Sequence, residues 1–246
     1  MNPNGLFDLS GKTAAVIGGG SGIGEAVAIG AARQGAGVVV LDANEAAAQA
    51  VAARIPGADA AMLDIADASS VNTALDAIAR DRGRIDIVIC TPSINVRKSI
   101  LHYTGEEFDR VVAVNLKGSF NVLQAAGRLM TAQRGGSMVF FSSIRAQVVE
   151  PGQSVYAMTK AGIVQLVRTG AAEFGPFNVR VNAVAPGIVD TPMYTKDMHG
   201  FLNTLQPAGR IATTQEIVDA VLYLSDASFT TGIVLPVDGG MSSGKW

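Results

Sequence analysis

The chain has 246 residues, 48% of them apolar and 16% charged, with a formal net charge of -2, which suits one α/β domain with a large core. No basic run exceeds the pair Arg97-Lys98, so nucleic acid is not an expected partner. The single cysteine, Cys90, excludes an internal disulfide, the start Met1-Asn-Pro-Asn-Gly-Leu lacks a secretory signal, and no apolar run reaches the roughly 18 residues that span a bilayer; the chain reads as a cytoplasmic protein without a membrane partner.

Short β-rich runs at 13–17, 37–41, 58–63, 85–90, 137–141, 179–184 and 233–235 alternate with helical patterns near 23–34, 45–54, 68–81, 105–133, 154–174 and 214–225. Continuous apolar strands separated by helices indicate a parallel sheet covered on both faces, a doubly wound α/β architecture. Directly after the first strand, Gly18-Gly-Gly-Ser21-Gly22-Ile23-Gly24 opens a helix. Backbone amides and a positive helix end then meet at the carboxyl edge of the sheet, where a pyrophosphate binds. The spacing G-x-x-x-G-x-G is not the generic G-x-G-x-x-G, and a tight turn alone would also use these glycines. Asp42 ends the second strand, eighteen residues after Gly24. An acid there accepts hydrogen bonds from adenosine ribose hydroxyls and repels a 2′-phosphate, and neither Ala43 nor Ser21 would neutralise that phosphate. NAD rather than NADP is the expected cofactor.

Thr104 followed by Glu107 has the spacing of a capping box that opens the helix over 105–133. Tyr156 and Lys160, four apart on the helix over 154–174, share one face, so phenol and ammonium can meet. A nearby cation lowers a phenol pKa from about 10 and makes tyrosine a proton shuttle near neutrality. Ser143 stands thirteen residues upstream, after a strand. No repeat or linker divides the chain, so 1–246 is expected to form a single dinucleotide-binding domain. Pro186 to Ala212 lacks clear periodicity and is a candidate mobile loop, with the substrate segment near 187–212.

With the glycine loop, Asp42, Asn115, Ser143, Tyr156 and Lys160 in this order, the chain resembles the classical short-chain dehydrogenase/reductase family from about Leu9 to Gly240. Asp64-Ile65, Val114-Asn115-Leu116, Pro186-Gly187 and Val237-Asp238-Gly239-Gly240 also have counterparts there. The resemblance implies a Rossmann-type sheet of seven strands and a homotetramer in which the helices near 105–133 and 154–174 pair between subunits. It also implies that Tyr156 is the general acid/base and that Ser143 stabilises the substrate oxygen. Lys160 would tune Tyr156 and hold the nicotinamide ribose, and Asn115 would bind a water linking Lys160 to solvent. Ile188 through its backbone and Thr191 through its hydroxyl would grip the carboxamide. Two departures stand out. Ile17 replaces the usual threonine before the glycine motif, and Cys90-Thr91-Pro92-Ser93 replaces Asn-Asn-Ala-Gly, so a reshaped adenosine floor is expected because Pro92 has no amide hydrogen.

Arg145, two residues after Ser143, suggests a bidentate clamp on a substrate carboxylate, and Asn95-Val-Arg97-Lys98 is loosely similar to the basic segment of sugar-acid members. Surface or interface ion pairing of Arg97 and Arg145 is the alternative. Met193, Tyr194, Met198, Phe201 and Leu202 would form an apolar lid or an interface, and Trp246 would dock on a neighbouring subunit if the tail is ordered. His102 and His199 read as solvated or structural, and no metal site is expected. The expected activity is NAD-dependent interconversion of a small secondary alcohol and a ketone, on a hydroxy acid or sugar acid. A 3-oxoacyl thioester reductase and a non-catalytic nucleotide-binding regulator or scaffold are the alternatives.

Overall fold

A computed structural model of the chain describes residues 7–192 and 194–243. Seven strands, β1 (Thr13–Ile17), β2 (Gly37–Asp42), β3 (Asp59–Met62), β4 (Ile87–Cys90), β5 (Gly136–Phe141), β6 (Val179–Pro186) and β7 (Val234–Val237), form one sheet in the order β3-β2-β1-β4-β5-β6-β7. Every neighbouring pair is parallel. The order reverses between β1 and β4, which opens a crevice beyond their carboxyl ends.

Strand periodicity divides the core into two layers. Ala14 and Val16 of β1 pack with Val27 and Ala28 of α1 (Gly22–Arg33) and with Ile217 and Val218 of a helix over Thr214–Asp226. Ala15 and Ile17 face the opposite layer, which holds Val122, Ala126, Ile163 and Val167. Ala14 to Ile17 of β1 are therefore all buried, as a central parallel strand requires. The remaining helices are α2 (Glu45–Ala52), α3 (Ala68–Arg82), α4 (Gly105–Val112), α5 (Gly118–Ala132), α6 (Ser154–Phe174) and α7 (His199–Asn203), so that Thr214–Asp226 is α8. The Thr104 capping box is present, with the Glu107 amide donating to Thr104 Oγ1 and the Thr104 amide to the Glu107 carboxylate.

Two elements differ from the sequence expectation. The helix over 105–133 is interrupted by a π-helical turn at Ala113–Lys117, and the segment after Pro186 contains α7. There, Ile188, Leu202 and Ile211 build a small core of their own, and Val189 bridges Ala212. Three apolar side chains spread over 24 positions leave no helical period, so only their meeting in space gives the segment structure. Met193 and Trp246 lie outside the described residues. Among the described residues no helix is long and apolar enough to cross a membrane.

α1 and α8 approach closely because Gly30 has no side chain, and a Cβ there would overlap Val218 Cγ1. Gly30→Val is expected to cost about 1–3 kcal/mol by overpacking, read as a lower urea midpoint with an unchanged m-value.

Candidate active site

A cavity of about 650 Å³ occupies the crevice and runs from Gly18, Ser21 and Asp42 at one part to Ser143, Tyr156 and Lys160 at another. Its volume lies within the range of cofactor and small-ligand sites. Ser21 is the N-cap of the twelve-residue α1 and makes no side-chain capping bond, so the first amides of that helix are open to an anion. Gly18 and Gly22 have φ of +78° and +55°, conformations natural to glycine. A Cβ on Gly24 would strike the Gly18 carbonyl. The loop is thus held to a backbone that only glycine permits, and its Gly18 and Gly19 amides donate to the Leu41 carbonyl, which leaves the amides at the start of α1 for an anion.

Asp42 anchors that loop. One carboxylate oxygen accepts from the Gly20 amide and the other from the Asn44 amide, each at 2.9 Å. The two departures from the family pattern prove to be coupled. Thr91 Oγ1 donates to the Ile17 carbonyl (2.9 Å) and approaches the Gly18 carbonyl (3.2 Å). A hydroxyl absent at position 17 is therefore supplied across the switch point from the end of β4, and the Pro92 ring packs against Gly18.

Tyr156 and Lys160 come together through α6, and Ser143 meets them from the end of β5. Lys160 is 1% exposed and its Nζ donates to the Phe141 carbonyl at 2.7 Å. Ser142 Oγ donates back to the Lys160 carbonyl at 2.9 Å. Burial lowers the Lys160 pKa to about 8. Burial pushes the neighbouring Cys90 thiol up to about 12, so it is neutral near pH 7 and offers Lys160 no counter-charge. Lys160 Nζ lies 5.6 Å from the centre of the Tyr156 ring, within cation–π range.

The Tyr156 phenol departs from the expected direction. Desolvation raises its pKa, outweighing the hydroxyls of Ser143 and Ser93 and the charge of Arg145, which favour the phenolate. In this arrangement Lys160 addresses the ring and the Phe141 carbonyl rather than the phenol oxygen.

Other expected site residues are distributed as follows. Asp64, Ile65, Ile23, Pro186, Gly187 and Thr191 line the cavity. Ile188 does not: its side chain is buried with Leu202 and Ile211, and Val189 takes the place on the wall. Asn115 is fully buried in the π-helical turn. It accepts from the Ile94 amide and donates to the Ile94 carbonyl, both at 2.8 Å, and approaches Thr159 Oγ1 at 3.2 Å. The Asn115 side-chain amide is thus engaged by backbone and acts as a clasp on the segment after β4. Arg97 and Arg145 both pair with Glu150, and Asn95 donates to Gln153 Oε1 at 2.9 Å; none of the three lines the cavity.

Ser93 is the residue that sequence reasoning missed. Its Oγ is buried without a well-aligned partner, it lines the cavity, and its hydroxyl lies near enough to the Tyr156 phenol to favour ionisation. The signal was a serine where the family motif carries glycine.

The comparisons with known proteins agree with this geometry. The family model described as "Enoyl-(Acyl carrier protein) reductase" matches residues 18–242. The chain belongs to the short-chain dehydrogenase/reductase family. It is 34% identical over 242 residues to the 3-oxoacyl-[acyl-carrier-protein] reductase FabG of Thermotoga maritima, covering 95% of this chain and 98% of that one. With the D-threitol dehydrogenase of Mycolicibacterium smegmatis it shares 36% identity over 244 residues, covering 95% and 94%. Its structure is similar to a gluconate 5-dehydrogenase from Burkholderia cenocepacia solved with NADP and tartrate, with a TM-score of 0.92, 31% identity and 97% and 98% coverage. The chain is accordingly an oxidoreductase of a family that uses a nicotinamide dinucleotide, and the crevice fits that group: uncapped helix amides, a glycine cradle and an acid at the end of β2.

The depressed Lys160 pKa carries a stability prediction. Below pH 8 the ammonium is charged in both folded and unfolded chains and its desolvation opposes folding in full. As pH rises from about 8 towards the unfolded value near 10.5, the folded chain releases its proton first, so stability increases. Lys160→Met removes this dependence. The stability gap between wild type and variant is expected to change by up to a few kcal/mol in favour of wild type between pH 7 and pH 10, measured by urea unfolding across that range.

Proposed function

We propose that this chain is an NAD(H)-dependent oxidoreductase that interconverts a secondary alcohol and a ketone. The observation that carries the reading is the meeting of the Tyr156, Ser143 and Ser93 hydroxyls at the wall of the same cavity that takes in the glycine loop and Asp42. The bound nicotinamide supplies or accepts the hydride. Tyr156 gives a proton to the substrate oxygen in reduction and takes it back in oxidation. Ser143 donates a hydrogen bond to that oxygen, where charge develops. Its Oγ already accepts from the Arg145 amide at 3.1 Å, which orients the hydroxyl proton away from the turn. Lys160, fixed by the Phe141 carbonyl, presents its other protons to ribose hydroxyls and supplies positive charge beside the tyrosine.

NAD is favoured over NADP by Asp42, whose carboxylate lies at the wall of the crevice and would repel a 2′-phosphate. Among the described residues that line the cavity the only lysine or arginine is Lys160, which is committed to Phe141. Reduction of a 3-oxoacyl thioester is the second reading, favoured by the likeness to the FabG reductase. A non-catalytic nucleotide-binding role is disfavoured by the intact Ser143, Tyr156 and Lys160. A homotetramer is part of the proposal, because Phe108, Phe120 and Met158 are exposed on α4, α5 and α6, where subunit helices would pair.

Tyr156→Phe is expected to lower kcat about 10²–10⁴-fold with NADH affinity unchanged by fluorescence titration; retained turnover would remove Tyr156 from the acid/base role. For Asp42→Ala, the ratio of kcat/KM with NADP to that with NAD is expected to rise on the order of tenfold, and a constant ratio would overturn the NAD assignment.

A further inference from the structure

Between Ser143 and Tyr156 the chain makes a short 3₁₀ turn, Ile144–Ala146, and then runs through Glu150 to the start of α6. Arg145 lies in that turn with a side chain only 14% exposed, and its amide donates to Ser143 Oγ at 3.1 Å. A guanidinium so placed would bind the carboxylate of an acidic substrate, but here it already holds one. Glu150 Oε2 pairs with Arg145 Nη2, and Glu150 Oε1 pairs with Arg97 Nη2 from the segment after β4. Gln153 Nε2 adds a hydrogen bond to Glu150 Oε2 at 2.7 Å, and Asn95 holds the other end of the Gln153 amide at 2.9 Å. Both oxygens of Glu150 are thus used, by partners from two sides of the site.

We infer that Glu150 is a specificity-determining residue: its carboxylate holds the Arg145 guanidinium, two residues from Ser143, out of the cavity lining, so the site selects substrates without a carboxylate, such as polyols, over hydroxy acids. An acidic substrate would have either to displace Glu150 and strand its charge, or to place a second carboxylate beside it. Like charges at that range repel, and a part-buried carboxylate that loses its partner is costly. The Arg145–Glu150 pair is itself neutral, and the remaining positive charge of the cluster sits on Arg97, whose side chain is 56% exposed to solvent. The inference rests on the proposed function, since it takes the Tyr156 end of the cavity as the substrate site.

The test reads binding rather than turnover. Tartrate, a small hydroxy diacid, is titrated calorimetrically into the NADH-saturated protein as wild type, as Glu150→Gln and Glu150→Ala, and as Glu150→Gln combined with Arg145→Met. NADH affinity, measured first on each, tests the proposed function separately. The expected result is at least tenfold tighter tartrate binding in both single variants, a return to the wild-type value in the double variant, and threitol affinity unchanged throughout. Equal tartrate affinity in wild type and both single variants, including no binding in any of them, would overturn the inference. So would a gain that survives loss of Arg145, or an equal gain for threitol, since either would mean a loosened rim rather than a freed guanidinium.

Discussion

Two hydrogen bonds at one residue fix the register between α6 and the end of β5. Lys160 Nζ donates to the Phe141 carbonyl, and the Lys160 carbonyl accepts from Ser142 Oγ. With that register set, Ser143 follows at the strand end and Tyr156 stands one helical turn before Lys160, so two residues thirteen apart in the chain share one wall of the crevice. The same contact buries an ammonium almost completely. Its cost in stability has the same origin, because the desolvation that accompanies this contact brings the Lys160 pKa to about 8.

Asn115 extends this frame to the other side of the crevice. A π-helical turn widens the helix by one residue locally and is often found where function needs an irregular backbone. Here it carries an amide that clasps both the N–H and the C=O of Ile94 and meets Thr159 on α6. The segment after β4 is thereby tied to the long helices, and Ser93, its neighbour in sequence, is held against Tyr156. Thr91, two residues earlier, ties the same segment to the glycine loop. The substitutions in Cys90-Thr91-Pro92-Ser93 thus form one altered surface: a hydroxyl for the loop, a ring against Gly18, and a hydroxyl for the tyrosine.

Much of the fold was legible in the sequence because parallel strands buried on both faces leave continuous apolar runs, and those runs could be placed from Thr13 to Leu235 with errors of a residue or two at their ends. Gly18 to Gly24, Asp42, Ser143, Tyr156 and Lys160 were legible for a related reason: each needs its own residue type, and each sits at a strand end or on the helix that follows one. The acidic-substrate expectation was less secure, because an arginine shows its charge in the sequence but not its partner. Glu150 supplies that partner to both Arg145 and Arg97.

The sequence by itself determined the layered α/β architecture, which follows from periodicity, and pointed to the glycine-rich start of α1 and the residues proposed for proton transfer through residue type and the family resemblance. Only the tertiary structure decided which groups those residues meet. The engagement of Asn115 by backbone, the turn of Ile188 into the small core under α7, the unpartnered hydroxyl of Ser93 and the neutralisation of Arg145 all depend on side chains brought together from separate strand ends. Hydrogen bonds and ion pairs act over about 3–4 Å, and no spacing along a chain encodes distances of that size between segments that approach one another only when the sheet assembles.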